Sequence, residues 1–455
     1  MSACRRTEAV LACTVQVAVR VLMEKVSLER VSAMVEREVS ALRRTRDTYF
    51  EQHPAATHTQ FVTHLRERAA LMLQDVPLAS ADTNVRVLNA WMCGKILNVL
   101  PVYDVRCEEY LSKAVKLDPD NVDALNELGE CLWKKPDRRT AHKCFEMALA
   151  KCRNPVSLRS LSTVLRQDDC GLANKLDRMQ QSVQLAREAV EIDTNDEQSW
   201  YILGNACLTY FFATGQMIPS YISEAKDAYK KAEELGCCSA DLFYNYAQAL
   251  KYEQAYADAL RALQRSNSLD PTFAEAAEAH SNLCAFLRRC NEAVARKGKL
   301  RPKRLGELRC AFDDASDYGE YATATFDLKT GSARKLRTAA IGRLQHGANR
   351  DTVVALKVVA VVVNDERIPY TCVAIDKTEA CAVVTIFNCS VEFGVLIGNT
   401  LTIPEPYLVT VNCSIDQEPI SFVSLRAASP ERLLLNGVRI GRALVALAEA
   451  DSSRA

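Results

Sequence analysis

Two acidic residues, Asp241 and Glu275, lie 34 residues apart, and each is near the start of a predicted helix. This spacing equals the length of one helix–turn–helix repeat, so the two positions are equivalent on neighbouring units. Two carboxylates on one surface can bind a guanidinium or ammonium group better than either acid alone. Alternatively, both acids only favour the N-termini of their helices, where acidic residues are common. Both interpretations stay open on the residues alone.

A pattern of small and apolar residues defines the repeat. In 122–155, six such residues fall at positions 4, 7, 8, 20, 24 and 27 of a 34-residue tetratricopeptide unit: Leu125, Leu128, Gly129, Ala141, Phe145 and Ala148. Small residues at positions 8 and 20 allow two helices to approach closely, and the larger residues fill the space between them.

The same frame recurs along the chain and predicts about five units. They are marked by Trp91, Gly94 and Ala114; by Leu158, Leu161, Leu165, Ala186 and Ala189 around a polar insertion near 168–178; by Trp200, Leu203, Gly204, Ala225, Tyr229 and Ala232 around an insertion at 214–220; and by Phe243, Tyr246, Ala247, Ala259, Leu263 and Pro271. Because a stack of repeats exposes its last apolar face, we expect 274–295 to cap the array.

In such an array the first helix of each unit lines a groove, so the repeat frame predicts which other side chains can contact a ligand. These are Asn126, Glu130, Trp133, Arg159, Arg166, Tyr201, Asn205, Tyr244 and Tyr252, with Arg153 in the turn after the second unit. Amides, cations and aromatic rings beside two acids favour a short peptide that carries both a cation and an anion.

The sequence does not favour catalysis or a bound cofactor. It has no GxSxG, Walker or HExxH motif, so we expect no catalytic residues. The 18 cysteines form no CxxC pair, and only Cys237 and Cys238 are adjacent. With six histidines and no ligand-like spacing, neither a metal site nor a cofactor is expected. We therefore interpret the cysteines as reduced, mostly buried thiols of a cytosolic or nuclear protein and not as a disulfide framework.

The overall charge is balanced, with 57 basic and 57 acidic residues. Any contact with nucleic acid must therefore come from a local basic patch. One such patch occurs at 296–304, where six cations and no acid occur in nine residues. It is either a solvated linker or a contact with the phosphate backbone of a nucleic acid.

The apolar run 9–22 is interrupted by Gln16 and Arg20, so we expect a helix and not a signal peptide. No apolar run of the sequence reaches the length of a transmembrane span.

After about residue 310 the pattern changes to short β-branched and aromatic runs separated by Gly, Pro, Asn and Asp. We predict strands at 322–328, 352–363, 370–375, 381–387, 401–403, 408–411 and 420–425. The fold class is therefore α+β and multidomain: an α-helical solenoid followed by a C-terminal OB-fold-type β-barrel. The predicted domains are an N-terminal helical extension, 1–80; the repeat solenoid with its capping helix, 81–295; a basic linker, 296–310; the β domain, 311–445; and a disordered tail, 446–455.

Several segments together resemble the tetratricopeptide repeat protein 5 family, also called Strap, the stress-responsive activator of p300. They are 46–50, 111–117, 151–158, 164–167, 199–205 and 394–398. The resemblance covers nearly the whole chain and is weakest before residue 40 and after residue 430.

The resemblance implies a non-enzymatic adaptor in tubulin autoregulation. Such an adaptor recognises the N-terminal Met-Arg-Glu motif of nascent α- and β-tubulin on the translating ribosome and promotes decay of the mRNA through an adaptor and a deadenylase complex. It implies that Asp241 and Glu275 bind the peptide arginine, Arg153 binds the peptide glutamate, and Arg301 and Lys303 contact the ribosome. Arg301 stands where the family pattern has Lys, which keeps the charge but changes its geometry.

The family resemblance also leaves a second function open. The chain could be a nuclear cofactor that joins p300-type acetyltransferases to other proteins, with chromatin binding by the OB-type domain. Such barrels bind single strands through exposed aromatic and basic side chains. The β domain offers few aromatic candidates: Tyr370, Phe387, Phe393, Tyr407 and Phe422. Packing of the barrel against the array is the alternative role.

Overall fold

The computed structural model describes residues 30, 32–76, 82–167, 172–216, 218–323, 336–365 and 369–446. The predictions for the run 9–22 and for 447–455 of the tail lie outside these residues, as does most of the predicted strand 322–328. The two described residues of that strand, Ala322 and Thr323, belong to a short helix.

Helices account for the first two thirds of the molecule. Two helices, α1 (32–52) and α2 (His58–Gln74), precede five successive helix pairs. The pairs are α3 (Thr83–Leu97) with α4 (Val105–Leu117), α5 (Val122–Lys134) with α6 (Arg138–Lys151), α7 (Pro155–Arg166) with α8 (Leu172–Ile192), α9 (Glu197–Ala213) with α10 (Pro219–Glu234), and α11 (Ala240–Tyr252) with α12 (Tyr256–Leu269). A longer helix, α13 (Ala274–Ala295), follows the last pair at the place where a cap was expected.

Local sequence explains where these helices begin. The side chains of Asp104, Asn121 and Asp137 precede α4, α5 and α6, and each accepts a hydrogen bond from a backbone N–H in the first turn. Asn154 does the same for α7, whose first residue is Pro155. Such caps satisfy donors that a helix leaves unpaired, and proline at the first position has no N–H to satisfy.

Within a pair, the small residue at position 8 sets the distance between the helices. A Cβ on Gly129 would lie 2.6 Å from the ring of Phe145, and one on Gly204 would lie 2.6 Å from the ring of Tyr229. Both rings are fully buried, and each lies on the second helix of its pair, at position 24 of the repeat frame. The close approach inferred from the repeat pattern is therefore present, since only a hydrogen fits between backbone and ring.

Helix α1 precedes the array in the chain, but it packs across several of the repeat units. Its apolar residues Val35, Val39 and Leu42 join the core formed by α3, α5 and α7. Ion pairs connect Glu36 to Lys95 of α3 and Arg43 to Glu127 of α5, and Glu51 to Arg265 of α12. A helix of this length spans about 30 Å, enough to reach from the first pair to the last.

The C-terminal third is a ten-stranded curled sheet that forms a half-barrel. Its strands are β1 (Arg337–Thr338), β2 (Gly347–Ala348), β3 (Thr352–Val362), β4 (Tyr370–Ile375), β5 (Cys381–Ile386), β6 (Thr400–Pro404), β7 (Tyr407–Ile415), β8 (Glu418–Ala427), β9 (Leu434–Leu435) and β10 (Val438–Arg439). The order is β10-β9-β6-β3-β4-β5-β8-β7-β2, with β1 pairing on β3. Pairing is antiparallel except for β5 with β8 and β1 with β3.

Six of the predicted strands correspond to β3 through β8. The central strands β3, β4 and β5 are buried on both faces, which explains their nearly continuous apolar sequences. Strand β7 alternates between buried and exposed residues, as expected for a strand with one solvated face. The register between β3 and β4 shifts between Val358 and Ala360, just beyond Lys357, the last residue of β3 that pairs with β6.

The array and the sheet share one hydrophobic core. Residues of α11, α12 and α13 pack in a single cluster with residues of β3, β4, β5, β7 and β8. The guanidinium of Arg426 lies 4.4 Å from the ring centroid of Tyr252 and 4.7 Å from that of Phe387, and Gln254 donates to Thr385 Oγ1 at 2.5 Å. The sheet is therefore fixed against the end of the array.

The segment between α13 and the sheet folds into short helices. A turn of 3₁₀ helix (Lys297–Lys299) is followed by α14 (Pro302–Cys310), α15 (Asp314–Asp317) and α16 (Glu320–Thr323). Asp317 is buried and accepts hydrogen bonds from Lys357 Nζ at 3.2 Å and from Thr400 Oγ1 at 2.7 Å. These two contacts join α15 to β3 and β6.

None of the helices in the described ranges is long and apolar enough to cross a membrane.

Replacing Gly204 with alanine should lower the free energy of unfolding by about 1–3 kcal/mol, because the new methyl group overlaps the buried ring of Tyr229. Gly306→Ala in α14 is the matched control, since no atom lies within 4 Å of its added Cβ. There the higher helix propensity of alanine should be neutral or stabilising. Urea unfolding measures both, and equal effects of the two substitutions would contradict the packing argument.

Replacing Asp317 with alanine should cost about 3–5 kcal/mol, because Lys357 would keep a buried charge without its partner. The double variant Asp317→Ala, Lys357→Met removes both charges and should recover most of that loss. Additive losses in a double-mutant cycle followed by urea unfolding would show that the two residues are not coupled.

Candidate functional site

Asp241 and Glu275 occupy the same place on consecutive first helices. Each is the second residue of its helix, α11 and α13 respectively, and each side chain is exposed. Neither has an ion pair with any residue that the structure describes, whereas Arg153 and Arg159 of the predicted groove both have one. Two accessible acids without an internal cation are available to a cationic ligand.

The surroundings of Asp241 disfavour its negative charge. Partial burial and, next, the charge of Asp270 raise the pKa of the Asp241 carboxyl, although a hydrogen bond from its own backbone N–H lowers it. Asp270 directly follows the last residue of α12 and accepts hydrogen bonds from Thr272. A guanidinium group placed here would relieve the repulsion between the two carboxylates.

Tyr201 and Asn205 of α9 form the wall next to Asp241. Burial, and then the charge of Asp241, raises the pKa of Tyr201 to about 12, so its hydroxyl stays protonated at neutral pH. Asn205 Oδ1 accepts hydrogen bonds from Tyr229 Oη at 2.8 Å and from Asn245 Nδ2 at 3.1 Å. These contacts connect α9, α10 and α11 and hold this wall in place. Tyr244 lies on α11 with its ring 5.1 Å from Phe273.

The predicted groove arginines already have partners. Exposed Arg153 pairs with Glu188 of α8 through two of its nitrogens, and Arg159 of α7 pairs with the Asp196 carboxylate. Because exposed ion pairs contribute little, a ligand carboxylate can compete for Arg153 at small cost. Arg159 is more enclosed, so its pairing with Asp196 is harder to replace.

Two predicted contact residues are internal to the array, which corrects the expectation that they face a ligand. Asn126 is buried and accepts a hydrogen bond from Ser157 Oγ at 2.7 Å. Arg166 donates to Ser162 and Ser182 at 3.0 and 3.1 Å, and burial lowers its pKa to about 10. The repeat frame assigned both residues to the correct helix. Their polar atoms, however, form hydrogen bonds with neighbouring helices and do not face a ligand. Tyr252 likewise packs against Phe387 of the sheet and does not face the groove.

One wall of the groove comes from α1, which the repeat frame did not include. A cleft of about 690 Å³ is lined on one side by Arg43, Arg44, Arg46 and Asp47 of α1, and on the other by groove residues that include Glu130, Trp133 and Arg159. The spacing of Val35, Val39 and Leu42 indicates an amphipathic helix, but not the surface on which it packs. These α1 residues were therefore missed.

The basic segment leaves two cations unpaired. Arg296 and Lys299 pair with Glu292, Lys297 with Glu379, and Arg304 with Glu307. Within 296–304, all of which the structure describes, only Arg301 and Lys303 have no acidic partner, and both are exposed at the start of α14. The segment is thus a folded surface with two available positive charges.

The sheet does not present an aromatic face. Phe387, Phe393 and Phe422 are buried, Tyr370 is half-buried, and Tyr407 is the exposed member of the five aromatic residues considered for base stacking. Across the described residues, no group of three or more His, Cys, Asp or Glu side chains could hold a metal ion.

Stacked helix pairs followed by a curled half-barrel define a tetratricopeptide-repeat protein with a C-terminal OB-fold domain. Residues 335–449 match the family model described as the tetratricopeptide repeat protein 5 OB fold domain. Tetratricopeptide repeat protein 5 of Mus musculus is 38% identical over 403 residues, covering 86% of this chain and 90% of the relative. The Homo sapiens protein is 37% identical over 418 residues, covering 90% and 93%. The chain therefore belongs to the tetratricopeptide repeat protein 5 family.

Among solved structures, the crystal structure of YrrB, described as a TPR protein with an unusual peptide-binding site, is similar to part of this chain. It is 21% identical, covers 44% of this chain and 92% of its own, and has a TM-score of 0.31. A likeness at this level carries no argument about function.

The raised pKa of Asp241 predicts a pH-dependent effect of Asp241→Asn. The folded state holds the Asp241 proton more tightly than the unfolded state, so ionisation lowers stability as pH rises from the unfolded pKa, about 3.9, through the raised folded value. The neutral variant should therefore be more stable than the wild type at pH 7, with the difference shrinking by pH 3. Urea unfolding at both pH values tests this, and a variant less stable at pH 7 would contradict it.

Proposed function

We propose that this chain is a non-catalytic adaptor that binds the nascent N-terminal Met-Arg-Glu motif of α- and β-tubulin on the ribosome. In this proposal, binding promotes decay of the tubulin mRNA through a further adaptor and a deadenylase complex. The observation that supports it most directly is the pair of exposed acids, Asp241 and Glu275, which form no ion pair with a cation of the described residues. Membership of the tetratricopeptide repeat protein 5 family is consistent with it.

Peptide recognition would rest on charge pairing. The peptide arginine would lie between Asp241 and Glu275, where it also offsets the repulsion between Asp241 and Asp270. The peptide glutamate would pair with Arg153 and displace the exposed partner Glu188. An extended segment between these sites would pass Tyr201, whose neutral hydroxyl can hydrogen-bond to a peptide backbone.

A second contact would come from Arg301 and Lys303. Exposed cations without partners bind phosphate groups by releasing condensed counterions, independent of sequence. Holding the protein at the ribosome raises the effective concentration of the groove near the emerging peptide, so a weak peptide site suffices.

Binding of a synthetic peptide that begins Met-Arg-Glu tests the groove. Asp241→Asn and Glu275→Gln should each raise the Kd about tenfold or more, because one charged contact is lost while the shape is kept. Glu278→Gln, which removes an exposed acid one turn further along α13, is the matched control and should leave the Kd unchanged. Calorimetric titration measures all three. If Glu278→Gln weakens binding as much as Glu275→Gln, the effect is one of net charge alone.

Capture of ribosomes that translate tubulin tests the basic surface. Arg301→Glu with Lys303→Glu should abolish capture and leave the peptide Kd unchanged, since α14 lies outside the groove. The control, Arg296→Glu with Lys299→Glu, changes two cations that Glu292 already neutralises and should act more weakly. Equal loss in both double variants would refute the assignment to Arg301 and Lys303.

The alternative, a nuclear cofactor of p300-type acetyltransferases whose sheet binds chromatin, has less support. Binding of single strands needs exposed aromatic rings, and of the five considered only Tyr407 is exposed. The sheet instead uses much of its apolar surface to pack on α12 and α13.

A further inference from the structure

A second cavity, separate from the groove, lies where the array meets the sheet. It has a volume of about 240 Å³ and is lined by the ends of α9 and α11, the start of α12, the middle of α13 and residues just outside β3, β4 and β5. The amides of Gln248, Asn282 and Asn364 are part of this lining. Its aromatic walls are Phe212, Tyr252, Tyr256, Phe286 and Phe387. We call it the interdomain cavity. Its volume is below the usual range for a drug-sized ligand, so it suits one large side chain.

An unsatisfied acceptor lines this cavity. The Gln216 Oε1 atom is buried and has no hydrogen-bond partner in the described part of the chain. Gln216 also has a φ of +63°, which is unusual for a residue other than glycine. Buried acceptors normally have donors, and a strained backbone that holds such an acceptor in a cavity is typical of binding sites.

The charges around the cavity restrict what it can bind. An aromatic cage can take a quaternary ammonium group. Here, however, Lys251 lines the cavity, and the guanidinium of Arg426 already lies against the rings of Tyr252 and Phe387. A cationic ligand would be repelled, so a neutral aromatic group that donates one hydrogen bond is favoured.

We propose that the interdomain cavity binds the indole of a tryptophan side chain presented by a partner peptide, with the indole N–H donating to Gln216 Oε1. Indole combines a large flat apolar surface with a single donor and no acceptor, and it therefore complements aromatic walls with one orphaned acceptor. The cavity lies at the C-terminal end of α11, whereas Asp241 lies at its N-terminal end. The proposal is thus independent of peptide binding in the groove.

Ligand-detected NMR of the full chain with N-acetyl-tryptophanamide tests the proposal. The probe should bind, and N-acetyl-1-methyltryptophanamide, which differs by loss of the N–H, should bind at least about fivefold more weakly. Gln216→Leu should remove this preference, while Asp241→Asn with Glu275→Gln should leave it intact. Equal binding of the two probes to the wild type would refute the proposed hydrogen bond to Gln216. Failure of both probes to bind would refute the site itself.

Phe212→Ala separates the aromatic walls from the acceptor. Phe212 is partly exposed and lines the cavity, so its loss should weaken both probes by a similar factor. Ile218→Ala, at a nearby exposed apolar residue that does not line the cavity, is the control and should change neither. Melting temperatures equal to that of the wild type would show that both variants keep the fold. Loss of binding in Ile218→Ala, or none in Phe212→Ala, would contradict the location.

Discussion

The contact between a glycine of the first helix and an aromatic ring of the second is the constraint on which the array depends. At Gly129 and Gly204 no side chain separates the backbone from Phe145 and Tyr229, so each pair closes to a fixed distance. Each unit can then be stacked on the next with its first helix on one common face. The repeated geometry places residues 34 positions apart, such as Asp241 and Glu275, at equivalent points of that face.

The charged groups of the groove and of the basic segment divide into two kinds. Arg153, Arg159 and the basic residues at 296–304 mostly have acidic partners, which hold the surface together without giving it a specificity. Asp241 and Glu275, and separately Arg301 and Lys303, have none among the residues described. An exposed charge without an internal partner can be neutralised by an external molecule without the loss of an existing ion pair. The proposed peptide site therefore rests on the equivalent repeat positions of Asp241 and Glu275 together with their lack of an ion pair among the described residues.

The sequence predicted the helix pairs and six strands because their signals are local. Gly204 and Tyr229 obey the repeat frame, and the apolar run of β3 ends at a turn. The positions of Asp241 and Glu275 followed from the same frame. Hydrogen bonds between helices of the array were not predictable, since nothing near Asn126 or Arg166 indicates that Ser157 and Ser182 bind them. The path of α1 across the units was missed for the same reason, because it depends on partners up to 214 residues away, from Glu51 to Arg265.

The path of α1 has a mechanical consequence. Solenoids of repeats are elastic, because each unit contacts only its neighbours and small rotations accumulate along the stack. Here one helix is joined to the first pair through Glu36 and to the last through Glu51, so extension or untwisting of the stack must break long-range contacts as well as local ones. The array should therefore be much stiffer along its length than a solenoid of five free units.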